Sequence, residues 1–258
     1  MTPELTMLAL CAMAMLAGFV DAVVGGGGLI QVPALLVLLP GYPVATLFGT
    51  NKAASIWGTA VAAWNYARHI STPWRAVLPM ALAALAASFV GAAAVSRLDN
   101  ASLKPIILGV LVVVLGYTLW RKDFGKLHAP RLSAAQQLLI GLLAGSAIGF
   151  YDGFLGPGTG SFLVLAFVGA FGFSFLHASA AAKAVNVITN FAALAYFLSH
   201  GSVLWHYALP MAACNVAGSL IGTRLAIRRG AGFVRGLFIA VVGLLILRLA
   251  YDVWRPHL

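Results

Sequence analysis

Gly18-Phe19-Val20-Asp21-Ala22-Val23-Val24-Gly25-Gly26-Gly27-Gly28 closes the first apolar run of the chain and sets one carboxylate just before four glycines. Gly149-Phe150-Tyr151-Asp152-Gly153-Phe154-Leu155-Gly156-Pro157-Gly158-Thr159-Gly160 repeats the arrangement 131 residues later. The same offset carries Lys52 onto Lys183, Trp74 onto Trp205, and Leu78-Pro79-Met80-Ala81 onto Leu209-Pro210-Met211-Ala212. It also carries Ser88 and Gly91 onto Ser219 and Gly222. One offset held across such separated markers is an internal duplication. Ionisable residues at matched places in two membrane halves read as a transporter.

Composition sets the class. The 258 residues are 62% hydrophobic and 9% charged, against about 25% charged in an average soluble domain, and the mean hydropathy is +0.97. Long continuous apolar runs exclude the short alternating strands of a β-barrel. The expectation is an all-α polytopic membrane protein forming one transmembrane domain over residues 1–258. Repeat 1 spans about 1–121, a linker about 122–135, and repeat 2 about 136–258. The net charge of +10 resides in short loops, as the positive-inside rule expects; with no basic face or recognition module, nucleic acid is not an expected partner. Cys11 and Cys214 lie inside apolar runs and read as small buried hydrophobes. The first 20 residues lack the basic start of a signal peptide and have a counterpart in repeat 2, so they belong to the fold.

Long apolar segments run at about 4–24, 46–66, 76–96 and 103–121, and again at about 136–155, 177–198, 207–227 and 233–254. Shorter runs at 28–39 and 160–172 follow the glycines and read as half-helices, because a full span takes roughly 20 residues. That gives eight to ten membrane segments. Irregular backbone at membrane depth must line protein or a cavity, so each glycine break should border one. Loop charge switches sides between the copies. Arg68 and Arg75 face His200 and His206 in the matched loop, while Arg97 and Lys104, offset by Asp99, match Arg224, Arg228, Arg229 and Arg235. The halves are therefore expected to be inverted, with the linker cytoplasmic and both termini outside. Trp64, Trp74, Trp120, Trp205 and Trp254 near segment ends suit an interfacial belt.

Of six acids, only Asp21 and Asp152 stand on apolar segments away from termini and loops. A charge there is costly and usually faces a cavity or a partner. Lys52, with Asn51 and Ser55, and Lys183, with Asn186, Thr189 and Asn190, lie in helical runs. Gly26, Gly27 and Gly28 precede a half-helix expected near Leu29, and Gly158, Thr159 and Gly160 one near Ser161. Helix starts behind such breaks attract anions. The expected substrate site thus comprises Lys52, Lys183, Asn51, Asn186 and these two glycine-rich starts, with Asp21 and Asp152 pairing the lysines or carrying a coupling proton. Asp21 can meet Lys52 within its half or Lys183 across the pseudo-twofold axis. Gln31, Tyr151 and His177 read as packing or helix-end residues, and Arg248 as snorkelling. No metal set, P-loop or catalytic motif is present in the sequence, and neither a cofactor nor an enzymatic activity is expected. A non-transporting membrane sensor or scaffold and an anion channel are the competing readings.

These motifs resemble the TauE/SafE family of sulfite exporter-like membrane proteins, and most of all its YfcA-like subgroup. The resemblance rests on Phe19 to Leu29, on Gly149 to Phe162, and on Thr50-Asn51-Lys52 and Ala182-Lys183-Ala184-Val185-Asn186. It covers essentially the whole chain. It implies export of sulfite, sulfoacetate or a similar small organosulfur anion from a bacterial-type inner membrane, coupled to the proton or membrane gradient. Gly26 becomes Pro157 and Gly28 becomes Thr159 in the second copy, so the two halves of the site need not be equivalent.

Overall fold

Apolar sequence punctuated by caps and glycines builds the molecule from helices. In the computed structural model, residues 2–98 and 132–229 are described, together with 109 and 247. Among these, α1 is Pro3–Val24, α2 Gly28–Leu38, α3 Val44–His69, α4 Trp74–Val95, α5 Ala134–Phe154, α6 Thr159–Gly169, α7 Phe175–Ser199 and α8 Trp205–Arg229. No strand occurs among the described residues. The expected runs at 103–121 and 233–254, most of the linker with its charges, and Asp99, Lys104, Arg235, Arg248, Trp120 and Trp254 lie outside them.

Local signals set the ends. The Thr2 hydroxyl accepts from Leu5 N–H, and Pro3 stands in the first turn, where a missing N–H costs nothing. α1 stops where Gly25 turns left-handed at φ 78°, its N–H bonding back to the Asp21 carbonyl. A reciprocal Ser133–Gln136 capping box starts α5. α2 and α6 have 11 residues each, about 16 Å of rise and half of a ~30 Å hydrocarbon layer. They start at Gly28 and Thr159, slightly before the expected Leu29 and Ser161, because glycine and threonine already take helical backbone there. α1, α4, α5 and Leu176–Ser199 of α7 are long and apolar enough to cross a membrane. The outer surface stays apolar, with Leu8, Leu82, Leu143 and Phe191 exposed, which suits lipid and would be a large sticky patch in water.

Small residues let the helices approach closely. Gly145 and Gly153 of α5 press on the backbone at Met80 and Ser88 of α4, leaving no room for a Cβ. Gly18 of α1 presses on Asn215 of α8, and Gly222 of α8 on Phe19. α3 and α7 cross between these pairs: Gly49 lies by Phe197, and Tyr66 clusters with Ala180. Matched bonds recur at the duplication offset. Ser88 Oγ donates to the Thr189 carbonyl at 2.9 Å, and Ser219 Oγ to the Gly58 carbonyl at 2.6 Å. The two glycine breaks touch at the centre, where Ser161 N–H donates to the Gly25 carbonyl at 3.0 Å and Ser161 Oγ to that of Val24 at 2.7 Å.

Candidate functional site

The crossing of the breaks positions four charges, three of them buried and Asp21 partly so. Lys52 and Lys183 both stand about two turns into their helices, α3 and α7. Each reaches the acid of the other half. Lys52 Nζ lies 2.6 Å from Asp152 Oδ2, and Lys183 Nζ 2.8 Å from Asp21 Oδ2. Of the two pairings open from the sequence, the structure has the one across the halves. Lys52, Lys183 and Asp152 are each at most 4% exposed, so neither lysine snorkels to an interface. Lone charges at such depth would cost several kcal/mol each; pairing and hydrogen bonding offset that. Asn190 Oδ1 accepts from Lys52 Nζ at 3.0 Å, and Thr59 Oγ1 donates to Asp21 Oδ2 at 3.2 Å. Lys183 Nζ also donates to the main-chain carbonyl of Asp21.

Between the pairs lies a small cavity, about 30 Å³ of room for the centres of water-sized bodies. That holds about two waters, at ≳ 10–15 Å³ each. Lys52, Asp152, Asp21, Asn51 and Asn186 line it, as do Gly27, Gly28, Gly158, Thr159 and Gly160 at the starts of α2 and α6. Of the residues expected at the site, Gly26 and Lys183 are not part of the lining. Gly26 is spent on the turn, its carbonyl accepting from Leu29 N–H at 3.0 Å. Lys183 is turned into the last turn of α1, and the Asp21 side chain stands next to the cavity in its place.

Thr59 and Asn215 were not singled out by sequence reasoning, and Asn190, Ser55 and Gln31 were noted there but not placed in the site. Asn190, Ser55 and Thr59 line the cavity, as do Gln31 and Asn215. Asn215 Nδ2 donates to Gln31 Oε1 at 3.0 Å and to the Ala14 carbonyl at 3.1 Å, so Gln31 is a cavity residue and not simple packing. Their matched positions are Ala84 for Asn215 and Phe162 for Gln31, so the duplication did not flag them; an amide in an apolar run was the available signal. Asn51 is 5% exposed and its Oδ1 has no hydrogen-bond partner. Tyr151 braces the second break by donating from its hydroxyl to the Pro157 carbonyl.

Apolar helices enclosing a charged, polar centre built from both halves define an integral membrane protein of the transporter class. The chain belongs to the sulfite exporter TauE/SafE family, whose model matches residues 10–249. It is 35% identical over 243 residues to the "Probable membrane transporter protein ORF9" of Sinorhizobium sp, covering 94% of this chain and 92% of that one. It is 33% identical over 236 residues to a "Probable membrane transporter protein" of Haemophilus influenzae, covering 92% and 91%. With the "Probable membrane transporter protein YfcA" of Escherichia coli K12 it shares 34% identity over 245 residues, covering 93% and 87%. No solved structure matches this chain.

Proposed function

We propose that the protein is a secondary transporter that exports a small sulfur-containing anion, such as sulfite, sulfoacetate or a similar organosulfonate, across a bacterial-type inner membrane. The observation that carries the reading is the pair of crossed ion pairs at the meeting point of two helix breaks. Lys52, Asn51 and Asn186, with the positive ends of α2 and α6, form a cavity lining suited to an anion. The sulfur chemistry comes from the family's name. The small size of the cavity, about 30 Å³, favours a carrier over an open channel.

Charge balance supplies the coupling. Two lysines against two aspartates sum to zero, and a bound monovalent anion would leave one buried negative charge, which is expensive. A proton on Asp152 releases Lys52 to the anion and keeps the centre neutral.

Alternating access is read as rocking between two inverted repeats. What supports inversion is the direction of matched helices: along α3 and its repeat counterpart α7, Gly49 meets Phe197 whereas Tyr66 meets Ala180, so they run head to tail. α1 runs alongside α8 in the same sense, Gly18 at Asn215 and Phe19 at Gly222. The basic ends of α3, with Arg68, and α8, with Arg224, Arg228 and Arg229, then lie on one side. We take that side as cytoplasmic, which puts the start of α1 outside. The test is uptake by proteoliposomes of sulfite, thiosulfate, sulfoacetate and control carboxylates, with and without a pH gradient. Saturable, gradient-sensitive flux of a sulfur anion is expected; flux of carboxylates alone, or none, refutes the assignment.

A further inference from the structure

We infer that the two ion pairs, though related by the duplication, have different jobs: Lys52 is the lysine that gives up its carboxylate to the transported anion, and Lys183 is a fixed fastener between the halves. This rests on the transport reading above and assigns roles within that site.

The pairs differ in what holds each lysine. Among the described residues Lys52 bonds only to side-chain oxygens, those of Asp152 and Asn190, and both can swing away without disturbing a helix. Lys183 bonds to the carboxylate of Asp21 and also to its main-chain carbonyl. That carbonyl belongs to the last turn of α1 and accepts from Gly25 N–H at 2.9 Å. A cation at a helix C-terminus is stabilised by the unpaired carbonyls and the dipole, so moving Lys183 undoes both the ion pair and the end of α1.

The surroundings differ in the same sense. Lys52 faces the cavity and Lys183 does not. Beside Lys52, Asn51 also lines the cavity and holds a buried Oδ1 without a partner, a group that is costly while unsatisfied. The residue matched to Asn51, next to Lys183, is Ala182. The unpartnered hydroxyl a turn before Lys183, that of Ser179, is buried away from the cavity, so the unused polar group that faces the cavity stands next to Lys52 and marks the side on which a ligand arrives. Asp21, for its part, is held by the Thr59 hydroxyl, whereas the matched Asn190 holds the lysine of the other pair.

Neutralising each pair as a unit tests this, because no buried charge is then left alone. In proteoliposomes with sulfite, Lys52→Met/Asp152→Asn should raise the half-saturating concentration at least about tenfold, as loss of a buried charge contact demands. Lys183→Met/Asp21→Asn should lower the maximal rate and leave half-saturation within about twofold, the mark of a lost structural contact. Equal shifts in half-saturation, or the opposite order, overturn the inference. Should a double variant fail to accumulate in the membrane, sulfite binding to the isosteric single variants in detergent decides, read as protection against thermal aggregation. Asp152→Asn, which frees Lys52, should bind sulfite more tightly than the unaltered protein, and Asp21→Asn should not; the reverse overturns the inference. An unaltered protein with neither sulfite flux nor sulfite binding would instead refute the transport reading itself.

Discussion

Lys52 Nζ lies 2.6 Å from Asp152 Oδ2, and both side chains are buried, although a hundred residues separate them in the chain. The bond ties α3 to α5, and its duplicate ties α7 to α1. Two such ties join the halves at the one place where each helix break exposes backbone. Any motion that separates the halves must therefore break or exchange an ion pair, and a ligand of the right charge lowers the cost of that exchange.

A stability cycle follows from burial. Lys52→Met alone strands the Asp152 carboxylate and should destabilise by about 3–5 kcal/mol. Lys52→Met/Asp152→Asn should recover much of the loss. Thermal unfolding in detergent measures the cycle; a double variant less stable than Lys52→Met would contradict a paired buried charge.

Close packing gives a second expectation. A Cβ at Gly153 meets the Ser88 backbone, so Gly153→Ala should cost about 1–3 kcal/mol as overpacking does. Gly18→Ala, which meets Asn215, should behave alike. Gly41 has open space around it, and Gly41→Ala is the neutral control in the same melting assay.

Topology is open to chemical labelling. In a background with Cys11→Ala and Cys214→Ala, Ser71→Cys, between α3 and α4, should react with a membrane-impermeant thiol reagent from the cytoplasmic side only. Ser199→Cys, at the end of α7, should react from the outside only. Both positions are exposed. Reaction of the two from the same side would refute inverted repeats.

Under the proposed charge balance, with one proton per monovalent anion, transport is electroneutral. Sulfite flux at a pH where the anion is singly charged should carry no net current on a solid-supported membrane and should move with an imposed pH gradient. A current of one charge per anion would show that no proton travels with it.

Much of this was legible in the sequence because duplication doubles every signal. Asp21 with Asp152, Lys52 with Lys183, and the two glycine breaks stand out at one offset, and hydropathy separates half-helices from spans. The pairing was not legible, since the offset that relates Lys52 to Lys183 is blind to whether each meets its own or the opposite acid. Nor was the exclusion of Lys183 from the cavity, which follows from its bond to the Asp21 carbonyl at the end of α1. Asn215 and Gln31 escaped because their repeat counterparts are Ala84 and Phe162, and only the fold brings the two amides together.

Carriage of a small sulfur anion by alternating access is read out by counterflow. Proteoliposomes preloaded with unlabelled sulfite and diluted into a trace of radiolabelled sulfite should accumulate label transiently above equilibrium. Lys52→Met/Asp152→Asn, with its raised half-saturation, should reduce the overshoot at low sulfite. Label that only rises monotonically to equilibrium, or never exceeds that of protein-free vesicles, would contradict alternating access at this site.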